Sequence, residues 1–369
     1  MEELKRPEPA PPKKPNIVVR LLAFLLTLAL VLGAVALVAF RDKINLDSLK
    51  RYITYRTLET GDDLLVYSAS GARLFSVSGV EYLTESVLLT TPVADGAGSA
   101  AVVYDAGGYA LRVLSDRSTV LETSAAQGHE ILSARLNAAG RLSVTSREPG
   151  YKGSVTVYDG SYQPLVSIRL SSRFLMDGLL SDDGRTVAVL TAGQTDDAFD
   201  SALALYHLEE DAPYASCSLG GSAVLDLKYD ADSFWALGDE ALSIVQLDGS
   251  LAGQYDYGGR YLKAFSLGGD RSAALLLGKY RAGSGATLLT VDAAGQELAA
   301  LELDDQVLDL DAAGRYVAVL TAGRLDLYTR DLELYASLDT TGGARDVVLR
   351  SDGTAWLITG ETARLFIPE

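Results

Sequence analysis

Beyond residue 60 the chain alternates short apolar runs with clusters of Gly, Asp, Ser and Asn, the punctuation of β-strands joined by tight turns. One unit recurs, a turn ending in Gly or Asp followed by a run rich in Val, Ala and Leu. SDDGRTVAVLTAG (181–193) and DAAGRYVAVLTAG (311–323) are nearly the same string. NAAGRLSVTS (137–146), GGDRSAALLLG (268–278), DADSFWALG (230–238), SDGTAWLITG (351–360) and GAGSAAVVY (96–104) keep its plan. Aligned on the turn residue, they give Gly98, Gly140, Gly184, Asp232, Asp270, Gly314 and Gly353, spaced 38 to 48 residues apart. A period of this length with strands in every unit is the signature of four-stranded propeller blades. The pattern predicts an all-β fold, a seven-bladed β-propeller, with eight blades as the alternative.

Each unit is followed by a second hairpin with a Leu/Val/Tyr strand and a polar turn, as in SVTVYDGSYQPLVSI (154–168) and LLTVDAAGQELAALEL (288–303). Two hairpins per period make one blade. The VAVL-type strand is apolar on both faces, so it is expected nearest the axis between neighbouring blades, with mostly Val, Ala and Leu lining the central channel. The alternating strands are expected at the wet rim. TARLFI (362–367) reads as one last strand, and DLLVYSASGARLFSVSG (63–79) as an outer hairpin with no blade before it. Together they predict a shared blade sealed by an N-terminal strand, which would remove two open sheet edges.

A different pattern precedes the repeats. Leu21 to Phe40 runs for twenty residues without a charge, long enough at about 1.5 Å per residue to cross about 30 Å of hydrocarbon. The expected organisation is a disordered Pro-rich tail at 1–16, a transmembrane helix at 17–40, a linker or short helix at 41–60 and the propeller at 61–369. A cleaved signal peptide ending near Ala34-Val35-Ala36 is the competing reading. Five basic residues lie before the span (Lys5, Arg6, Lys13, Lys14, Arg20) and five soon after it (Arg41, Lys43, Lys50, Arg51, Arg56), so the charge bias is tied. A short basic tail is costly to translocate and a long domain is not, which predicts a cytoplasmic N-terminus and an extracytoplasmic propeller.

Charge narrows the partners. Residues 41–369 hold 27 basic and 46 acidic side chains, a net of −19. That surface repels phosphate backbones, so no nucleic-acid partner is expected. The expected partners are the membrane, through the single span, and a protein or envelope component.

Catalytic material is sparse. The only histidines are His129 and His207, too few for a multi-histidine metal site or for repeated nucleophile activation. The lone Cys217 sits among Ser and Leu in a strand and reads as a buried small hydrophobe. The carboxylate strings Asp196-Asp197 with Asp200, Glu209-Glu210-Asp211 and Asp304-Asp305 lack the alternating ligand spacing of a calcium loop. No residue is singled out as catalytic, cofactor-binding or metal-ligating, and no cofactor is expected. The irregular blade, with REPGYKGS (147–154) and TAGQTDDAFDS (191–201), offers Tyr151, Lys152 and Phe199 as a contact patch, because loop insertions on one propeller face are where binding develops.

The order of segments, the span, NLDSLKRYITYR (45–56), VVYDAGGYALRVL (102–114), REPGYKGSVTVYDG (147–160) and SDDGRTVAV (181–189), resembles an uncharacterised group of single-span proteins of Gram-positive bacteria that bear a domain of unknown function. The resemblance implies a membrane-anchored propeller and no assigned activity. The Trp-Asp dipeptide of WD repeats is missing, since Trp235 and Trp356 precede Ala236 and Leu357. SDGTAW (351–356) only approaches the sialidase box. The expected function is a binding module. A scaffold subunit of a membrane complex and a carboxylate-dependent envelope hydrolase or lyase are the alternatives.

Overall fold

A computed structural model describes residues 56–61, 63–230 and 232–368. The Pro-rich tail, the span at 17–40 and residues 41–55 of the 41–60 segment lie outside the described residues. No helix among the described residues is long and apolar enough to cross a membrane.

Eight antiparallel sheets follow one another along the chain, at 56–86, 92–124, 131–170, 174–220, 224–256, 261–303, 307–338 and 346–366. We number them blades 1 to 8. The first seven have four strands and blade 8 has three. In every blade the strands pair in sequence order, and the first strands of successive blades lie side by side around the axis. The polypeptide therefore enters each blade at the centre and leaves it at the rim.

The apolar faces have nowhere to hide except against the next blade. Eight separate core clusters result, each shared by two neighbouring blades. Ala188, Leu203 and Leu205 of blade 4 meet Leu227, Phe234 and Val245 of blade 5, for example. An open stack of eight units would have seven such interfaces. The eighth joins Leu64 of blade 1 to Val348, Trp356 and Ile358 of blade 8 and closes the ring.

The blade number is eight, not seven. The unit missing from the sequence count starts with strand Arg56–Thr60 and turns at Gly61, which has a φ of +61°, like the left-handed hairpin glycines Gly98, Gly184 and Gly314. Its first strand falls within the segment read as a linker, so its turn was not aligned with the others. Among the described residues no blade is shared: Gly71–Phe75 is the third strand of a complete blade 1, and Ala363–Phe366 pairs there only with Ala355–Ile358 of its own blade. Among the described residues no strand pairs across the seam between blades 1 and 8, and side chains pack across it.

A second correction concerns the axis. The VAVL-type runs, within Thr186–Thr195 and Tyr316–Thr321, are second strands, one layer out from the channel. They are the most buried because sheet lies on both faces and a strand on both edges. The channel is lined instead by the first strands, which carry Asp95, Arg135, Asp177, Asp226, Lys228, Asp309 and Asp311 in place of Val, Ala and Leu. A first strand has an unpaired inner edge, and its N–H groups need acceptors that an aliphatic side chain cannot supply.

Candidate functional site

The carboxylates of the first strands supply those acceptors across blade boundaries. Asp95 accepts from the N–H of Leu136 at 2.8 Å, Asp309 from Val347 at 2.7 Å and Asp311 from Leu349 at 2.8 Å. The other oxygen of Asp311 accepts from Ala312 N at 2.9 Å and from the Ser266 hydroxyl at 3.0 Å. Each acid ties its blade to the next at the channel wall.

Arg135 organises the remaining charge. Its Nη2 lies 2.8 Å from Asp177 and 2.9 Å from Asp226, its Nε lies 3.0 Å from Asp177, and its Nη1 lies 3.7 Å from Asp95. One side chain from blade 3 thus meets carboxylates of blades 2, 4 and 5. Reaching blade 5, two blades away, requires the guanidinium to project into the channel. Lys228 of blade 5 donates to the carbonyl of Leu267, and desolvation lowers its pKa.

The acids differ in compensation. Asp95 keeps 24% of its side-chain surface open to channel solvent, yet protein surrounds it. Desolvation raises its pKa to about 6 against the pull of Arg135. Asp311 has no cation opposing its desolvation and reaches about 7, and Asp309 is raised for the same reason.

The sign of the linkage follows from these two values. The folded protein retains protons on Asp95 and Asp311 that the unfolded chain releases near pH 4, so their contribution to stability is complete below about pH 4 and is lost as pH rises through 6 and 7. Urea midpoints are expected to fall between pH 4.5 and pH 8. Asp311→Asn, compared with its own value at pH 4.5, should show a fall about half as large. An unchanged slope in that variant would refute the assignment.

Above this charged wall lies an apolar collar. In blades 3 to 7 the first strand holds one extra residue near its start: Leu132, Met176, Leu225, Lys263 and Leu308. Such a bulge leaves a residue outside the ladder and re-aims its side chain. Met176, Leu225 and Leu308 are consequently 50%, 55% and 42% exposed. The same face carries the hairpins between second and third strands and the connections between blades, with exposed Leu88, Tyr151, Phe174, Phe199, Tyr261 and Tyr280. Among the described residues, the hairpins around the opposite mouth carry no exposed large apolar side chain. The other exposed apolar residues sit on or beside the outermost strands. Exposed large apolar side chains next to the channel are therefore found, among the described residues, at one of its two mouths.

A family model described as a family of unknown function, DUF5711, matches residues 42–362. The chain belongs to the DUF5711 family. No curated protein matches it. Among solved structures, the DUF5711 propeller is similar to the computationally designed Ika8 protein (TM-score 0.59, 13% identity, covering 84% of this chain and 94% of that one). It is also similar to the C-terminal WD40 domain of Sif2 (0.59, 15%, 84% and 93%) and to BamB from Moraxella catarrhalis (0.52, 14%, 84% and 92%). At such identities the likeness concerns the fold, an eight-bladed, WD40-like β-propeller.

The residues singled out in the sequence fall into place on the DUF5711 fold. Tyr151, Lys152 and Phe199 lie on the apolar face, and Lys152 Nζ sits 4.3 Å over the ring of Phe174. The insertion at 191–201 is an extended hairpin of blade 4, with Asp196 and Asp197 at its tip in left-handed conformation and Asp200 paired to Arg173 at 2.9 Å. Glu209, Glu210, Asp211, Asp304 and Asp305 are exposed loop acids. Cys217 is buried in the cluster between blades 4 and 5. His207 stacks on Tyr214 at 4.0 Å, and His129 Nδ1 lies 3.2 Å from Glu148. Among the described residues no three His, Cys, Asp or Glu side chains are close enough to hold a metal ion. The Asp and Arg wall and the collar were missed. A recurrent Asp two to four places after an apolar strand start is the signal that points to them.

Proposed function

We propose that this DUF5711 protein is a non-enzymatic interaction module that docks a protein partner on the collar face and is held at the membrane by the span at 17–40. The propeller stands on the extracytoplasmic side, as expected for a single-span protein of a Gram-positive cell. The observation that carries the docking face is the asymmetry of the two mouths: Met176, Leu225 and Leu308 stand around one of them, and the described hairpins around the other carry no exposed large apolar side chain. Apolar side chains gathered on one face of a soluble domain mark an interaction surface. The acids of the channel are engaged with backbone N–H groups or with Arg135, which favours binding over acid catalysis.

Photo-crosslinking amino acids placed at Met176 and Leu225 in the full-length protein, expressed in its own cell, should yield one reproducible adduct. The same group at Ala139 or Arg185, beside the opposite mouth, should yield none. The double variant M176D/L225D should lose the adduct while keeping its thermal midpoint within a few degrees, since both side chains are largely solvated. Equal labelling at both mouths, or none at either, refutes the docking face. The topology has its own readout: alkaline phosphatase fused after Glu369 should be active, and an inactive fusion beside an active cytoplasmic reporter overturns it.

A further inference from the structure

Between blades 2 and 3 a cleft of about 250 Å³ opens toward the solvent. Its back wall is apolar, with Leu121, Leu142 and Val144, and its outer wall is a patch of short hydroxyls. The reason lies in one cross-strand position of the third and fourth strands. In blade 2 the position holds Arg112 opposite Glu122, 2.6 Å apart, and in blade 5 it holds Ser243 opposite Gln254, joined at 3.0 Å. In blade 3 the same pair is Thr156 and Ser167, joined at 3.3 Å. Neither reaches far enough to fill the space that the longer pairs occupy, and their hydroxyls face the hollow.

The edge of the cleft is charged and of mixed sign. Glu148 sits at its centre, 3.2 Å from His129 Nδ1, 3.6 Å from Arg169 Nε and 3.3 Å from the Ser154 hydroxyl. An anion entering here would meet Glu148, and a cation would meet Arg169, so neither gains net attraction. Hydroxyls can donate and accept, whereas a carboxylate only accepts and a guanidinium only donates. A wall offering all three fits a ligand whose own groups also do both. The apolar back wall suits the C–H face of a ring. The volume lies just below the range of about 300 to 1,000 Å³ that holds drug-sized ligands.

We propose that the cleft between blades 2 and 3 binds a neutral polyhydroxylated ligand, a single sugar residue, with Glu148 and Arg169 fixing its hydroxyls and Thr156 and Ser167 lining its seat. This site is separate from the collar and does not depend on a protein partner docking there. A sugar-bearing envelope polymer or a free sugar would present the same chemistry.

Saturation-transfer NMR on the full-length protein tests the assignment, with N-acetylglucosamine, glucose and glycerol as probes and with acetate and methylammonium as charged controls. At least one of the two sugars should show transfer with a dissociation constant on the order of 1 mM, and the charged controls should show none. T156R/S167E builds the pair of blade 2 into blade 3, fills the cleft and should weaken sugar binding by about tenfold or more. T156A/S167A keeps the space, removes the hydroxyls and should weaken binding by about threefold to tenfold. The two variants are read independently, so a misfolded first variant leaves the second decisive. Absence of transfer to both sugars, equal transfer to a charged control, or undiminished binding in a folded variant overturns the proposal. Comparison of a free sugar with intact cell-wall fragments then separates the two sources.

Discussion

Arg135→Met is expected to destabilise the propeller by about 3 to 5 kcal/mol at pH 8, the usual cost of removing one partner from a buried ion-pair network. Methionine preserves much of the stem that packs along the channel wall, so the loss is of charge more than of volume. Asp95, Asp177 and Asp226 then lose the guanidinium they share. Protonation of Asp95, whose pKa burial raises to about 6, relieves part of the resulting repulsion, so the difference from wild type should shrink at pH 5. Urea denaturation at both pH values is the measurement. A loss below about 1 kcal/mol at pH 8, the range typical of a surface pair, would show that Arg135 is solvated and not the hub of the channel. The triple variant R135M/D177N/D226N should recover a substantial part of the loss, because no unpaired charge remains at two of the three acids.

Trp356→Ala should have a comparable cost, about 3 to 5 kcal/mol, but a different spatial signature. Trp356 belongs to the cluster that closes the ring, which among the described residues has four buried members where the cluster between blades 5 and 6 has eleven. With no strand pairing across the seam among the described residues, a cavity there is expected to free blades 1 and 8 before the rest. Hydrogen exchange should accelerate first in strands Asp63–Ser68 and Ala355–Ile358. Trp235→Ala, at an equally buried indole inside the larger cluster, should lower stability without that preference. The indole N–H of Trp356 is buried with no hydrogen-bond partner, so Trp356→Phe should recover most of the loss. Uniform acceleration across all blades in Trp356→Ala would show that the seam is no weaker than the other interfaces.

The repeat and the fold class were legible because each blade must present the same two apolar faces and the same turn. Gly140, Gly184, Gly314 and Gly353 all mark the left-handed hairpin between first and second strands. The count fell one short at Gly61, whose preceding strand, RTLET, lacks the apolar density of the others. The channel was misread for a physical reason. Sequence hydrophobicity ranks the VAVL runs as deepest, and in burial they are, but in a ring of sheets the deepest strand is the second one. The first strand faces a wet channel and must cap its own free edge. The exposed positions of Tyr151, Lys152 and Phe199 could be read from irregular loop length, whereas the collar could not, since a bulge appears only when two strands are placed in register. The cleft was equally hidden. It arises from Thr156 and Ser167 being short, and shortness means nothing until the longer pair of the neighbouring blade gives the scale.

The five bulged residues occupy an unusual structural position. Because Met176, Leu225 and Leu308 stand outside the regular cross-strand pairing and are largely exposed, exchanging these three side chains disturbs neither the ladder nor the packing between blades. Side-chain identity and folding are thereby uncoupled at three sites around one opening. The same scaffold can be retuned toward a new surface by substitution at those sites alone, a property that makes them the natural starting point for a combinatorial binder library.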